Sequence, residues 1–179
     1  MSHVATIEIE IKDLADLRAA CQELGLVFEE GQQTYNWYGT HVGDFGLSEG
    51  FTEADLGQCD HAIRMNDQAI AQSMTSRREE FLATCAANNL EATEDHIEHV
   101  SQRPYEIGVV RRRDGKPGWV LLWDFWQKGF GLQDAIGENA NRLKAAIATA
   151  ASIRTMKAQG YGVQRKTLAN GTVQLQFTK

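Results

Sequence analysis

The stretch Tyr105–Trp126, YEIGVVRRRDGKPGWVLLWDFW, is the densest apolar block of the chain, and it folds back on itself about a polar turn that contains Gly and Pro. Two such arms joined by a turn predict a β-hairpin. On the return arm, Trp119–Trp126, apolar residues occupy both faces, and Asp124 is the only charge among them. A strand that is apolar on both faces is typical of a central strand covered on both sides. A functional site is therefore sought first around Asp124, between two tryptophans, although the sequence reveals no reaction.

The composition describes one ordinary globular domain. The chain has 179 residues, of which 42% are hydrophobic and 23% are charged, so a core of useful size can form. Its net charge of −6 gives no general attraction to nucleic acid or to an anionic membrane. Arg111, Arg112 and Arg113 form a local basic cluster, which is interpreted as a solvated turn in preference to a phosphate site. Nucleic acid is therefore an unexpected partner.

The cysteines and the hydropathy pattern predict a cytoplasmic location. Cys21, Cys59 and Cys85 lie far apart, are odd in number and follow no signal peptide, which suits a reducing compartment better than a disulfide framework. No apolar run approaches the roughly 20 residues that span a bilayer. No membrane association is expected.

The N-terminal region predicts a strand, a helix and a second strand. Thr6–Lys12 alternates strictly, with isoleucines on one face and charges on the other, as in a half-buried strand. Asp13 can then cap a helix that Gly25 ends. Leu26–Trp37 has the pattern of another strand. Residues 38–57 are rich in Gly and aromatics without a clear period, which indicates a long ordered loop.

Cys59 and His61 follow this loop and raise the question of a metal site. If both lie in the short strand around Ile63, their side chains point the same way. His41 and Asp44 could complete a set of ligands, but zinc motifs normally show paired ligands at tighter, repeated spacings. Metal and cofactor content therefore stay open, against structural or ligand-contact roles for these residues.

Residues 67–103 have the texture of a helical-hairpin insertion, because they lack Gly and end before Pro104. Ser76 with Glu79 forms a capping box for a first helix, and Thr93 precedes a second. His96 and His99 share one helical face, but histidines on an acidic helix are usually surface residues. Turns at both ends predict that the insertion is separable from the rest of the single domain.

After the central hairpin, residues 129–137 form a loop or short turn, and 138–159 form a long Ala-rich helix that Gly160 ends. The chain closes with a second hairpin about Asn170-Gly171. A two-residue turn there would pair Val163 with Thr178, whereas a three-residue loop with Gly171 as a bulge pairs Val163 with Phe177. The three-residue loop is favoured, because it keeps the apolar residues on one face.

The order of elements predicts an α+β fold: an antiparallel sheet with helices on one face and the split βαβ character of ferredoxin-like folds. The central strand is apolar on both faces, so the face without helices needs a cover. The insertion, a second copy or another protein could supply it, and a homodimer is favoured.

Five stretches carry a family resemblance: MSHVATIEIEIKDLADLRAACQELG (1–25), QTYNWYGTHVGD (33–44), LGQCDHAIRM (56–65), PYEIGVVRRRDGKPGWVLLWDFW (104–126) and GYGVQRKTLANGTVQLQF (160–177). Together they resemble the family of hypothetical chloroplast open reading frame thirty-five, with its cyanobacterial, other bacterial and phage-borne relatives. The resemblance covers nearly all the chain except residues 67–103. It implies a small α+β domain and, for some relatives, association with AAA-type ATPases; it supplies no catalytic residues.

The leading functional hypothesis is a non-catalytic binding or accessory protein that engages a protein partner, such as an AAA-type ATPase, or a small nucleotide-like ligand. Aromatic and basic side chains would stack on and pair with such a ligand. The predicted ligand-binding residues are Trp37, Tyr38, His41, His61, Arg64, Asp124 and Trp126. Within this set, Arg64 or His61 is expected to neutralise Asp124, because a buried carboxylate needs a cation or several donors.

The alternative is a metal-dependent or Cys/His-based enzyme of unknown reaction. The chain shows no Gly-rich phosphate loop, no G-x-S-x-G elbow and no H-E-x-x-H motif. A Cys59/His61 pair is conceivable, but neighbouring same-face residues give poor geometry between a base and a nucleophile. Catalysis is therefore the second hypothesis.

Overall fold

The computed structural model describes residues 4–40, 50–168 and 173–179. Its main sheet has five antiparallel strands in the order β1-β5-β4-β3-β2, and β6 and β7 form a separate ribbon. The α+β prediction is confirmed. The strands are β1 Val4–Ile11, β2 Leu26–Glu30, β3 His61–Met65, β4 Ile107–Arg111, β5 Trp119–Asp124, β6 Gly162–Thr167 and β7 Val173–Thr178. The helices are α1 Leu14–Glu23, α2 Asp67–Ala87, α3 Glu94–Val100, α4 Leu132–Ile136 and α5 Asn141–Ala158.

The predicted central hairpin is formed by β4 and β5. The two strands pair from Ile107 opposite Trp123 to Arg111 opposite Trp119, and every residue of β5 is buried. Strand β4 is the middle strand of the five. The hairpin therefore occupies the centre of the sheet.

The split βαβ character is also present, with three strands between the two parallel ones. Strands β1 and β2 run parallel at opposite edges, and the three strands β5, β4 and β3 lie between them. Helix α1 connects the two edges. Asp13 accepts the backbone N–H of Ala15 at 2.9 Å to begin this helix, and Gly25 follows it with a φ of 68°.

All the long helices lie on one side of the sheet, which we call the helix face. Its core joins odd-numbered strand residues such as Ile7, Ile63 and Leu121 to side chains from α1, α2, α4 and α5. The Ala-rich α5 contributes Leu143, Ala146 and Ile147. The alternation predicted for β1 is confirmed, because Ile7 and Ile11 are buried and Ile9 packs against the same core.

The opposite side, which we call the loop face, is covered by the segment between β2 and β3. Tyr35, Phe51 and Leu56 from that segment pack on Val120 and Leu122. The Tyr35 ring lies against Gly108, where an added Cβ would be 2.5 Å from ring carbons. The chain itself therefore provides the cover for which a homodimer was favoured.

Strand β2 is shorter than the predicted Leu26–Trp37. It ends at Glu30, and Gly31 follows with a φ of 82°. That left-handed conformation turns the chain out of the sheet, and residues 32–38 then cross the loop face. The length was overestimated because Tyr35 and Trp37 occupy alternate positions, as strand residues do, although polar residues separate them from Phe28.

Residues 67–103 form two helices, as predicted, but the first begins earlier and belongs partly to the core. Helix α2 is continuous from Asp67, with Asn66 as its N-cap, so the predicted cap at Ser76 is wrong. Ile70 is buried in the helix-face core. Thr93 does cap α3, as expected. The part that projects from the domain therefore begins about three turns into α2.

The terminal ribbon has the predicted register, with Val163 opposite Phe177 and Thr167 opposite Val173. The turn at Asn170-Gly171 lies outside the described residues. Among the helices that are described, none combines the length and apolar character that crossing a membrane requires.

Candidate functional site

The end of β5 brings together four of the predicted site residues. Tyr38 donates its backbone N–H to Oδ2 of Asp124 at 3.2 Å, and Trp126 donates its own to Oδ1 at 3.0 Å. Trp37 packs against the apolar cluster of the loop face. The Tyr38 side chain is 46% exposed. Trp37, Tyr38, Asp124 and Trp126 therefore converge, and Tyr38 presents most surface to solvent.

Asp124 is fully buried, and the hydrogen bond from Tyr38 holds the loop on the sheet, while the one from Trp126 lies within the chain just after β5. Hydrogen bonds from N–H groups stabilise the ionised form of a buried carboxyl group. The geometry therefore identifies Asp124 as a structural acceptor at the crossing of the loop and β5.

The prediction that Arg64 neutralises Asp124 is wrong. Arg64 forms ion pairs with Glu29 at 2.7 Å and with Asp67 at 2.8 Å. It lies on β3, and β4 separates that strand from β5. Because neighbouring strands are about 4.8 Å apart, Arg64 has nearer carboxylates than Asp124.

His61 also lies away from Asp124. Its ring is between Phe28 and Trp119, at centroid distances of 5.4 and 4.9 Å, and its Nδ1 accepts the backbone N–H of Gly31 at 3.0 Å. These contacts place the His61 ring on the helix face, at the start of β3. His41, the remaining predicted ligand-binding residue, lies outside the described residues, as does Asp44.

The side chains of Cys59 and His61 lie on opposite faces of the sheet. Cys59 packs in the loop-face cluster, and its Sγ donates to the carbonyl of Gln32 at 3.1 Å. Burial raises the pKa of the Cys59 thiol to about 12, so the thiol stays protonated at neutral pH. The predicted same-side orientation is wrong, because Cys59 precedes β3. Within residues 4–40, 50–168 and 173–179, no group of three or more His, Cys, Asp or Glu side chains is placed to hold a metal ion.

The predicted interpretation of the arginine cluster as a turn agrees with its contacts. Arg112 pairs with Asp114, and Arg113 pairs with Asp55 at 2.7 Å. The guanidinium of Arg111 lies over the Trp119 ring, 4.4 Å from its centroid. Each cation therefore has a local partner within the protein.

Glu106 is a second buried carboxylate that the sequence analysis missed. Its Oε2 accepts the backbone N–H of Asn36 and the Gln32 side-chain amide, each at 2.9 Å. One step beyond the pair Ile107–Trp123, the hairpin register places Glu106 opposite Asp124. Extending the predicted hairpin by one pair would have found it. The two carboxylates thus hold alternate backbone N–H groups of the same crossing segment.

Directly after β5 the chain makes a left-handed turn. Gln127, Lys128, Gly129 and Phe130 are consecutive, with φ values between 48° and 61°. The left-handed conformation costs a residue other than glycine roughly 1–2 kcal/mol, and three of the four are not glycine. Such strain persists where surrounding contacts over-determine it, and it is concentrated at ligand sites and switches. The sequence signal was the pair Gly129 and Gly131, which indicated only a loop.

Contacts from α2 and from Tyr105, just before β4, hold this turn. The Phe130 carbonyl accepts the Ser73 hydroxyl of α2 at 3.1 Å. The Phe130 ring meets the Tyr105 ring edge-on at 5.2 Å, and the Arg77 guanidinium lies over it at 5.0 Å. Gly129 accepts the backbone N–H of Tyr105 at 3.1 Å. The conformation is therefore fixed by α2 and by the start of β4.

Two adjoining cavities open beside the turn. One, of about 530 Å³, lies between α2, the turn and α4, and polar side chains including Ser73, Ser76 and Lys128 line it. The other, of about 320 Å³, lies under α3 and is lined by Phe81, His99 and Phe130 among others. Arg77, Glu80 and Gln127 line both. Both volumes lie within the range of about 300–1,000 Å³ that is typical of small-ligand sites.

Arg77 lies between the two cavities, and no carboxylate of the described residues forms an ion pair with it. Its terminal nitrogens donate to the carbonyls of Val100 and Gln102, both at 2.6 Å. Its Nε is buried without a hydrogen-bond partner in the described structure, and burial lowers the pKa of the guanidinium from its ordinary value. A partly desolvated cation of this kind gains from an anionic group nearby.

In comparisons with known proteins, no family model, no curated protein and no solved structure matches the chain.

Proposed function

We propose that the protein is a non-catalytic binding protein for a small nucleotide-like ligand, held beside the left-handed turn after β5. The observation that carries the proposal is that this strained turn borders two adjoining cavities, one aromatic and one polar, with Arg77 between them. An aromatic ring would enter the cavity of Phe81, His99 and Phe130. An anionic group would reach Lys128 and Arg77 in the other.

The chemistry of the described residues supports binding rather than catalysis. Asp124 and Glu106 accept backbone N–H groups that hold the loop, and the Cys59 thiol is protonated. A general base or a nucleophile needs access to a substrate atom, which buried structural acceptors lack. Glu80 and Asp134 at the polar cavity oppose a strongly anionic ligand, so a monophosphate is favoured over a triphosphate.

The test uses AMP as the probe and Lys128→Gly as the principal variant. Glycine adopts the left-handed conformation without the Cβ penalty, so the substitution should raise stability by roughly 1 kcal/mol. It also removes the ammonium group, and we expect the affinity for AMP to fall at least tenfold in calorimetry. Greater stability with weaker binding is expected where strain is retained for function.

Asn89→Gly is the matched control. Asn89 has a φ of 53° at the end of α2 and lines neither cavity. It should remove a backbone cost of the same kind, smaller because Asn tolerates the left-handed conformation, without changing AMP binding. No AMP binding by the wild-type chain, and no ligand retained in native mass spectrometry of protein from its host, would together refute the proposal. Equal loss in both variants would place the site elsewhere.

A protein partner is the second candidate, and exposed apolar residues on the projecting hairpin of α2 and α3 favour it. Leu90, in the connection between the two helices, is 63% exposed, and Leu82 of α2 is 37% exposed. The family resemblance suggests an AAA-type ATPase as that partner. Replacing both leucines by serine should abolish co-purification of an ATPase from the host while leaving AMP binding intact. Unchanged co-purification would exclude this surface.

A further inference from the structure

The ribbon of β6 and β7 has an outer edge whose chemistry differs from that of the other strand edges. Strand β7, VQLQFT, carries no charged residue. The other edge strands each carry charges: Glu10 in β1, Glu29 and Glu30 in β2, and Arg165 and Lys166 in β6. Charges on an edge strand discourage pairing with another chain. Within the described residues, β7 pairs with β6 alone, so its second edge has no strand beside it.

The ribbon also has only two strands in the described structure, too few to be stable by itself. A two-stranded hairpin is at best marginally stable in water unless it gains further strands or packing. Its apolar residues Val163 and Leu175 are only half-buried, and Phe177 is 36% exposed. Arg165, on the same face, forms an ion pair with Glu23 of α1, which orients that face toward the helix. The ribbon is therefore held by α1 and α5 on one face and open along β7.

We propose that β7 pairs antiparallel with β7 of a second copy, in a dimer whose twofold axis is perpendicular to the ribbon and places Gln176 of the two copies opposite each other. The twofold axis keeps each side chain on its own face, so Val173, Leu175 and Phe177 of the two copies extend one apolar face. Gln174 and Gln176 extend the polar face. Because β7 is uncharged, the strand meets itself without the like-charge repulsion that β2 would experience through Glu29 and Glu30.

The same geometry limits the assembly to two copies. In the resulting four-stranded sheet, both outer edges are β6, and Arg165 and Lys166 protect them. Five residue pairs along one strand edge bury less area than a standard interface of about 1,600 Å². The dimer is therefore weak and dissociates on dilution. It forms at the ribbon and leaves the covered loop face of the main sheet unchanged.

Sedimentation of the full chain from about 1 µM to about 200 µM tests the proposal, because a weak dimer depends on protomer concentration. The wild-type mass should rise toward twice that of one chain. The double variant Gln174→Lys/Gln176→Lys places lysines opposite lysines across the interface and should stay monomeric. Gln164→Lys, on the same ribbon face but on β6, is the matched control and should dimerise like the wild type.

A second measurement covers the case in which the double variant fails to fold. The native cysteines Cys21, Cys59 and Cys85 are buried, so Gln176→Cys introduces an exposed thiol. Mild oxidation should cross-link this variant into a dimer, whereas Gln164→Cys should stay uncross-linked. A monomeric wild type at the highest concentration, a dimeric lysine double variant, or equal cross-linking from both cysteine positions would overturn the proposal.

Discussion

The helix face and the loop face of the central sheet are both buried, but different kinds of structure cover them. The helix face joins alternate strand residues to amphipathic helices through apolar contacts such as those of Leu121 and Leu143. The loop face is covered by a segment without regular structure, and two buried carboxylates, Glu106 and Asp124, bind its backbone. Irregular backbone has N–H groups that no ladder satisfies, so burial of such a segment requires acceptors from elsewhere.

This difference explains why the buried carboxylates that bind irregular backbone, Glu106 and Asp124, lie on the loop face. On the helix face, backbone hydrogen bonds are closed within each helix, and the buried carboxylate of that side, Asp16 of α1, pairs instead with the Arg154 side chain of α5. On the loop face, a carboxylate at the end of β5 can serve two donors at once. Asp124 therefore binds backbone N–H groups that no neighbouring strand reaches, at a position where the sequence predicted either a structural salt bridge between loop and sheet or a ligand-binding residue.

The largest expected effect follows from the cover of the helix face. Replacing residues 67–103 by a short Gly/Ser linker removes Ile70 from the core and the Ser73 and Arg77 contacts to the left-handed turn. Domain stabilities are only about 5–15 kcal/mol, so we expect loss of the cooperative thermal transition. Replacing residues 80–98 alone spares these contacts and should leave a cooperative domain.

The two deletions define where the helix face ends. Arg77 donates to the carbonyls of Val100 and Gln102, so the ends left by the shorter deletion are already close in space. Differential scanning calorimetry separates the outcomes. A cooperative transition in the 67–103 replacement would show that α2 is dispensable, and no transition in the 80–98 replacement would extend the core into the projecting helices.

A smaller effect is expected on the loop face, from Asp124→Asn compared with Glu106→Gln. Asp124 uses both carboxylate oxygens, so asparagine leaves one N–H facing an amide group. Both donors to Glu106 bind the single atom Oε2, which the glutamine carbonyl can replace. We expect a loss of about 1–3 kcal/mol for Asp124→Asn and less than about 1 kcal/mol for Glu106→Gln.

Urea unfolding of both variants measures this difference, with the slope checked for constancy. Equal losses would show that each carboxylate acts mainly through its charge. A larger loss for Glu106→Gln would show that its second oxygen has a role that the hydrogen bonds do not reveal.

The sequence predicted the helix face better than the loop face, for a physical reason. Periodic patterns encode regular elements, so β1, the central hairpin and the ribbon register, Val163 opposite Phe177, were all predicted. The cover of the loop face has no period. Tyr35 fits there because Gly108 leaves room for its ring, and no local pattern connects those two residues.

The candidate site was predicted in part. Trp37, Tyr38, Asp124 and Trp126 converge because they adjoin one strand end. Arg64 was assigned wrongly, because the strand order that separates β3 from β5 is not visible in the sequence. The left-handed turn was missed since Gln127, Lys128 and Phe130 are residues that ordinarily avoid that conformation.

The smallest expected effect concerns Tyr105, at the boundary between the loop face and the turn. Its hydroxyl is buried and has no hydrogen-bond partner in the described part of the structure. Tyr105→Phe removes this group while keeping the ring against Phe130. We expect the free energy of unfolding at neutral pH to change by less than about 0.5 kcal/mol or to rise, because an unsatisfied polar group is removed.

At alkaline pH, the direction in which Tyr105→Phe changes the free energy of unfolding follows from the pKa of the hydroxyl. Burial raises the pKa of the Tyr105 hydroxyl above its ordinary value, and the charge of Asp124 raises it further. Between the unfolded and the folded pKa, the folded state retains a proton that the unfolded state has lost, so wild-type stability falls as pH rises above about 10. Tyr105→Phe should lose less stability than the wild type in urea titrations over that range, and Tyr161→Phe serves as the control. If Tyr105→Phe instead lowers the free energy of unfolding at neutral pH by about 1 kcal/mol or more, the net contribution of one hydrogen bond, a bound water satisfies the hydroxyl.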